Sequence, residues 1–600
     1  MSESPRERYA DNVTKFERLV DEENRILLRI STVRLIVFFA GLFGVIFCFT
    51  KNIWLGVASL LVFLLAFSTL VRSFGKHTEK KDHYDRLSRI NQNEINALDG
   101  DFSMFDDGND FSDPSHDFTY DIDIFGKGSL FQYLNRTVTA YGKSLLAKWM
   151  ASPFEMSGLM SVRAQAISEL ADKLVWRQNF LSAGMVKQLS KEEMDSLLEW
   201  LSAHNDTLLS KSLNILKWIL PIITILSLVL LCCGMVHYMV FVMFLIANIM
   251  IVYLYGKKTN EIYERLSGMF QQLKSLSAQL KLFEDEKFES PLLNDLKKNN
   301  SQENQSGVEA LYELGKIVKM FDNRNNLIIY LLYNGLGLYD LHCVHQLEKW
   351  QKRYKINIRH WIDAIGEVDA LSSLANYCYN HKNFVFPKIS DGEKFFDAKK
   401  MGHPLIDERK RVCNDFGINK RKNICIITGA NMAGKSTFLR TIAVNYILAM
   451  IGAPVCAESM EFVPIRLFTS MRTTDSLNSG ESYFYAELKR LKLLTDKLEN
   501  DKDTFFILDE ILKGTNSDDK RLGSAMFLKK VIALGGTGVI ATHDTSLGEM
   551  EEEYPDVIFN KSIEVEVNGD EIRFDYLLKP GIAKNKNAVL LMRQLKIVDE

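Results

Sequence analysis

Gly429-Ala430-Asn431-Met432-Ala433-Gly434-Lys435-Ser436 fits G-x-x-x-x-G-K-[ST], a spacing suited to cradling phosphates. The glycines let backbone N–H groups wrap an anion, and a helix starting at the end of the loop adds its N-terminal donors. The context is right, because the apolar run Ile424–Thr428 precedes the loop and a helical stretch, Ser436–Met450, follows it. Lys435 is expected to reach the β- and γ-phosphates of a nucleotide and Ser436 to hold magnesium. ATP with Mg2+ is the cofactor implied. Asp509 and Glu510 end a second apolar run that starts at Phe505; Asp509 suits the magnesium shell and Glu510 suits polarising a water. A third run, Val539–Thr542, leads into His543, which could touch the γ-phosphate or that water. An Asp-Glu pair or a lone histidine is commonplace by itself. Following the loop in this order, Lys435, Glu510 and His543 become the catalytic candidates. The turn Ser479-Gly480-Glu481-Ser482 precedes a helix carrying Glu487; alone it reads as a helix cap or an anion-binding turn.

Elements of different kinds must position these groups. From Asn423 onward, short apolar runs alternate with helical stretches, which implies a parallel sheet covered by helices; residues 391–600 are assigned to this domain. Over 126–390 apolar residues recur every three or four positions, the period of helices, with a polar break at 297–305. Residues 99–125, rich in Asp, Gly and Ser with interspersed Phe, read as an acidic, solvated linker.

Two further regions are far more apolar than a soluble core requires. Residues of about 33–50 and 53–71 are separated by a tiny polar turn, and 218–233 and 236–255 are separated at Gly234. A bilayer core of roughly 30 Å needs about 20 helical residues, so each pair reads as a transmembrane hairpin. The first belongs to an N-terminal region, 1–98, and the second interrupts the helical region. The alternative is four helices buried in a large soluble core. Arg25, Arg29 and Arg34 precede the first span, Arg72, Lys76, Lys80 and Lys81 follow the second, Lys217 precedes the third, and Lys257 and Lys258 follow the fourth. By the positive-inside rule the N-terminus, helical region and C-terminal domain are cytoplasmic, on a multi-pass protein of the cell (inner) membrane. The long charged lead marks the first hairpin as an anchor, not a cleaved signal. Asn248, inside the fourth span, is expected to make a helix–helix hydrogen bond.

Basic residues number 73 against 76 acidic, for a net charge of −3, so there is no global basic signature for nucleic acid. The eight cysteines contain no C-x-x-C pair, which argues for reduced thiols and against a zinc site.

Together the motifs resemble the MutS family of mismatch-repair ATPases. Thr428–Thr437 reads TGANMAGKST against the family's T-G-P-N-M-G-G-K-S-T. Ser476–Glu487 matches its signature loop with Tyr483 in place of Thr, Asp509–Thr515 (DEILKGT) matches D-E-I-G-R-G-T, and Ala541–His543 matches A-T-H. His403-Pro404, Gly452–Met471 and the C-terminal YLLKPGIAKNKNAVLLMRQL follow the same pattern, and Gly128–Pro153 and Trp361–Ile389 are similar to the helical core, or lever. The likeness covers about 126–600 less the second hairpin. It implies an α/β P-loop domain of ABC/MutS type following an all-α lever, with Gly429, Asn431, Met432, Ala433, Gly434, Lys435, Ser436 and Thr437 at the nucleotide. It also implies a homodimer in which Asn431 approaches the γ-phosphate and Ser482 reaches the γ-phosphate of the facing subunit in trans.

The departures change the expected role. A membrane hairpin and an acidic segment stand where the family's mismatch-reading domain would lie, and Phe288-Glu289-Ser290, inside the helical region, is no substitute for its Phe-x-Glu. The family's adenine-stacking position holds Arg411. The expectation is a membrane-anchored MutS-like ATPase whose nucleotide cycle moves lever helices, with DNA a possible partner and no mismatch-specific contact. The alternative is an ABC-like ATPase that powers transport or remodelling at the membrane without DNA.

Overall fold

A capping box opens the chain. The Ser4 hydroxyl accepts from the Glu7 amide, the Glu7 carboxylate accepts from the Ser4 amide, and Pro5 takes the first helical position, where its missing N–H costs nothing. Helix α1 (Pro5–Lys51) then runs to Asn52, whose extended backbone breaks it and whose side chain caps α2 (Ile53–Leu98) at the Trp54 amide. Each helix is about 70 Å long at 1.5 Å per residue, so the sequence-predicted spans form only one half of each. Close approach relies on small residues: Phe63 and Phe49 pack their rings onto Gly41 and Gly56, leaving no room for a Cβ at either position. The computed structural model describes residues 4–185, 190–203, 210–300, 306–322, 324, 327–392, 394–430, 433–472, 483–500, 503–568 and 571–584.

The far ends of this hairpin are anchored by polar groups. Tyr9 is fully buried and donates to Asn380 at 2.8 Å. Glu94 pairs with Arg136, both side chains about 5% exposed or less, and Gln178 donates to Asn91 at 2.8 Å.

Residues 99–125 divide in two: 99–116 are mostly exposed, whereas 117–125 are packed against the rest of the protein, unlike a solvated linker. Phe118, Ile122 and Ile124 are buried in the main core, and Asp117, Asp121 and Asp123 bind residues of the C-terminal domain.

The helical region comprises α3 (Leu130–Leu134), α4 (Ala140–Ala151), α5 (Met160–Asp172), α6 (Leu174–Gly184), α7 (Lys191–Ala203), α8 (Lys211–Cys232), α9 (Tyr238–Leu266), α10 (Phe270–Asp285), α11 (Pro291–Asn300), α12 (Gly307–Asp322), α13 (Leu327–Gly337), α14 (Tyr339–Tyr354) and α15 (Ile358–Asn380). Helix α15 is its axis, buried along most of its length. Its Asp369 accepts from the Val138 and Thr139 amides and the Thr139 hydroxyl, fixing the start of α4; burial pushes this carboxyl up to about 7. Among the described residues four helices are long and apolar enough to cross a membrane: Pro5–Lys51, Ile53–Leu98, Ser212–Cys232 and Tyr238–Lys257. At most 17% of any of their apolar windows is buried, which rules against the alternative of four buried core helices.

The α/β part follows, with β1 (Lys388–Ile389), β2 (Phe396–Met401), β3 (Asn414–Ile418), β4 (Ile424–Gly429), α16 (Lys435–Met450), β5 (Ser459–Phe462), β6 (Arg466–Ser470), α17 (Tyr483–Asn500), β7 (Thr504–Asp509), α18 (Ser517–Ala533), β8 (Thr537–Thr542), β9 (Ile558–Asn568) and β10 (Glu571–Pro580). The larger sheet has the order β10-β9-β4-β8-β7-β6. It is parallel except for β10. Strands β4, β7 and β8 are buried at every position, the pattern of a sheet covered on both faces. A second sheet, β1-β5-β2-β3, lies outside the strand–helix alternation read from the sequence.

Candidate nucleotide site

The loop 429–434 is shaped by two glycines. A Cβ on Gly429 would lie 2.4 Å from the Ile563 carbonyl oxygen of β9, and Gly434 has φ +95° at the start of α16; both positions exclude larger residues. Ala433, where the family pattern has Gly, is buried. Lys435, 5% exposed, donates to the carbonyls of Gly429 and Ala430 at 2.8 and 2.9 Å. Burial pushes its ammonium down, partly offset by Glu510 and Asp509. Ser436 and Thr437 are exposed in the first turn of α16, beside amides that have no intrahelical acceptor.

Spatial order completes the site. Strand β8 lies between β4 and β7, with Thr428 level with Thr542 and Asp509 level with Ala541. Lys435, Asp509, Glu510 and His543 therefore follow the carboxyl ends of three adjacent strands, where ligands of open α/β sheets bind. Glu510 holds φ +54° and Leu512 φ +59°, backbone strain of a kind that gathers at functional sites. The Glu510 amide donates to Ala541 at 2.8 Å, and its carboxylate lies 3.0 Å from His543 Nδ1. Burial pushes the Glu510 carboxyl up, but the His543 hydrogen bond and charge and the Lys435 ammonium outweigh it, leaving it below the ordinary glutamate value. A carboxylate kept ionised next to a histidine and a lysine can order a water and accept its proton. Asn431, Met432 and Ser482 lie outside the described residues.

Lys513, Lys520 and Tyr576 were given no role from the sequence, and the structure places Glu487 and Arg411. Lys513 and Lys520 add positive charge near Lys435. Buried Glu487 of α17 accepts from the Lys513 amide at 2.9 Å, and burial pushes its carboxyl up. Arg411 is occupied elsewhere: its guanidinium donates to the Ile406 carbonyl at 2.7 Å and to Cys456 Sγ at 3.0 Å. The aromatic beside the loop is Tyr576, on a bulge of β10, whose ring edge is 2.8 Å from where a Gly434 Cβ would stand. Asn414 clamps that bulge, donating to the Tyr576 carbonyl and accepting from the Leu578 amide. Tyr576 keeps φ +54°, stacks on Phe574 and is 44% exposed. An isolated tyrosine in an edge strand carries no sequence signal of this kind.

The carboxylates of 117–123 grip the same domain. Asp121, 4% exposed, accepts from the Thr469 hydroxyl at 2.7 Å and from the Met471 and Arg472 amides at 3.2 and 3.1 Å. Asp123 bridges Arg472 and Arg440 of α16 at 2.8 and 2.7 Å. Asp117 takes Lys497 at 2.8 Å, while Arg490 donates to the Asp117 and Thr469 carbonyls. The segment leaving α2 is thus bound to the helix of the phosphate loop and to the strand end that leads into 473–482.

A family model described as MutS domain V matches residues 425–597, and one described as MutS domain III matches 115–375. The chain belongs to the MutS family. The DNA mismatch repair protein MutS of Thermotoga maritima is 30% identical over 254 residues, covering 41% of this chain and 31% of the relative. That of Clostridioides difficile is 34% identical over 247 residues, covering 39% and 25%. MutS protein homolog 4 of Mus musculus is 29% identical over 257 residues, covering 41% and 25%. The matched stretch thus spans a quarter to a third of the length of these relatives. The all-α region followed by an α/β domain agrees with the two matched models.

Proposed function

We propose that this chain is a membrane-anchored MutS-like ATPase. The observation that carries the reading is the convergence of Lys435, Asp509 and the Glu510–His543 pair at the ends of β4, β7 and β8. ATP and Mg2+ fit the residues present. Lys435 and the amides after Gly434 would hold the phosphates, Ser436 and Asp509 the magnesium, and Tyr576 offers the base a stacking surface. Magnesium supplies charge neutralisation at the phosphates; Glu510, oriented by His543, orders the water. By family likeness Asn431 and Ser482 join the nucleotide, the latter across a homodimer.

Four exposed apolar helices support the anchor, with the N-terminus, lever and ATPase on the cytoplasmic side of the cell membrane. DNA binding, which the names of the relatives suggest, is a possible further activity. Mismatch reading is not part of the proposal, because residues 4–98 are given over to hairpin helices. The ABC-like transport reading gains no support from the spans, which carry hardly an ionisable residue to line a path.

Hydrolysis by the purified full chain is the test. Lys435→Ala should abolish turnover, and Glu510→Gln should retain ATP binding while losing at least about a hundredfold in kcat. Wild-type rates in Glu510→Gln would sink the assignment of the base, and a wild-type chain that binds no nucleotide would sink the reading.

A further inference from the structure

Helix α13 has an unusual composition for its place. From Asn325 to Tyr339 the sequence contains no acidic or basic residue, whereas its neighbours α12 and α14 are laced with charge, as in Glu313, Lys316 and Lys319 or Lys349, Lys352 and Arg353. One face of α13 packs on the second hairpin, where Gly335 lies against Leu245 and Ile249 of α9. The other face is open: Leu327 is 69% exposed, Leu332 53% and Leu331 44%.

Its contacts give it a depth. Asn248, fully buried, donates to the Gly335 carbonyl at 2.6 Å and to the Thr224 hydroxyl of α8 at 3.0 Å. Asn248 stands at the middle of the apolar stretch Tyr238–Lys257, about 14 Å of helical rise from Lys257. Both flanks of α13 lie at the other level. Arg324 donates to Asn260, just beyond Lys257, and His342 of α14 meets the Lys217 carbonyl where the third apolar stretch begins. The chain therefore enters beside the end of α9, reaches mid-span at Gly335 and returns beside the start of α8. At 11 residues it is about 16 Å long, half of what spanning requires.

We propose that α13 is a third membrane-inserted element, a re-entrant half-helix whose open leucine face is covered by lipid acyl chains. The proposal rests on the membrane reading of the two hairpins. Irregular backbone at bilayer depth is tolerated only where protein satisfies it, and several groups of this turn find protein partners. The Gly335 carbonyl takes the Asn248 amide. The turn at Leu338, wholly buried, is closed by reciprocal bonds between Asn334 and Asp340, and Asp340 pairs with Arg324 at 2.9 Å. Ile222 and Leu226 on α8 and Ile246 and Met250 on α9, the helices beside α13, are exposed in the same way. Acyl chains fit this face because its exposed side chains, Leu327, Leu331, Leu332 and Tyr333, carry no charge to pair with a protein partner.

The test uses the full chain in liposomes of phosphatidylcholine and phosphatidylglycerol. A photo-crosslinking residue, p-benzoyl-phenylalanine, is introduced singly at Leu331, at Ile222 as the lipid-facing reference and at Tyr312 of α12 as the aqueous one. Leu332 serves as a second probe position on α13, and ATP hydrolysis reports that each variant is folded. Lipid adducts are expected at 331 and 222 and none at 312. An adduct at 222 without one at 331 or 332 overturns the proposal while leaving the spans standing. Loss of adducts at 222 as well removes the membrane reading beneath it. Crosslinks from 331 to a second copy of the chain would replace lipid with a dimer contact and equally overturn the proposal.

Discussion

The two hairpins are made of the same apolar residue types but are held in opposite ways. The first is anchored at its far ends: Tyr9 and Glu94 sit in buried polar contacts more than forty residues from the turn at Asn52, and its apolar half has hardly any neighbour besides itself. The second is held at mid-span, where Asn248 joins α8, α9 and α13. The first continues directly into the 99–125 segment, whose carboxylates bind α16 and the end of β6; the second leads only into lever helices. A hairpin tied at its base can transmit motion as a rigid arm, whereas one tied within its apolar layer is part of a local bundle. The first should therefore report to the nucleotide site and the second should not.

The largest test of this contrast is Glu94→Ala. It leaves the Arg136 guanidinium buried without its carboxylate, a loss of about 3–5 kcal/mol. Limited proteolysis should then cut α2 near its C-terminal end far faster than in wild type. Unchanged protection would mean that the arm is not held there.

Acid should loosen the same base. His381, hydrogen-bonded to Tyr133 at 2.6 Å, is pushed down to about 4 by burial and by the Arg411 and Arg136 charges. Its folded value lies below the unfolded one of 6.5. The unfolded chain therefore takes up the proton first, and stability is lost as pH falls from about 6.5 towards 4, by at most about 3 kcal/mol. Asp369, held up at about 7 against an ordinary 3.8, gains stability over the same window, so the test is a difference. The denaturant midpoint of wild type should drop relative to that of His381→Gln as pH falls from about 6.5 towards 4, and parallel curves would assign the effect to other groups.

Asp121→Ala should lower kcat about tenfold, or about 1.4 kcal/mol, with KM for ATP nearly unchanged, because the carboxylate organises Met471 and Arg472 without adjoining the phosphates. Wild-type kcat would make the segment a passive strap. The smallest effect belongs to Asn248→Leu, expected to cost the second hairpin about 1 kcal/mol and to leave kcat alone. A drop in kcat there would erase the distinction between the hairpins.

Local features were legible because short-range chemistry specifies them. Strand β4 and helix α16 follow from an all-apolar run, a glycine that must take φ +95° and a helical pattern. The apolar helices follow from length and composition alone, and the charged, helix-prone stretches 1–34 and 73–98 read as their extensions, which α1 and α2 are. The packing of 117–125 was not legible because acidic content suggests solvent, while it depends on Arg440, Arg472, Arg490 and Lys497, all more than three hundred residues away in the chain. Helix α13 went unseparated because a short apolar stretch reads alike whether it is core or lipid-facing.

By itself, then, the sequence determined which residues could bind phosphate, carry charge or enter an apolar layer, since spacing and side-chain type act over a few residues. Only the tertiary structure decided that β8 inserts between β4 and β7, that Tyr576 closes on Gly434 while Arg411 turns away, and that the segment following one hairpin is bound to the ATPase domain while the other hairpin packs on α13. Those outcomes depend on pairings between distant segments, whose free energy comes from burial and hydrogen bonds formed only when the whole chain has packed.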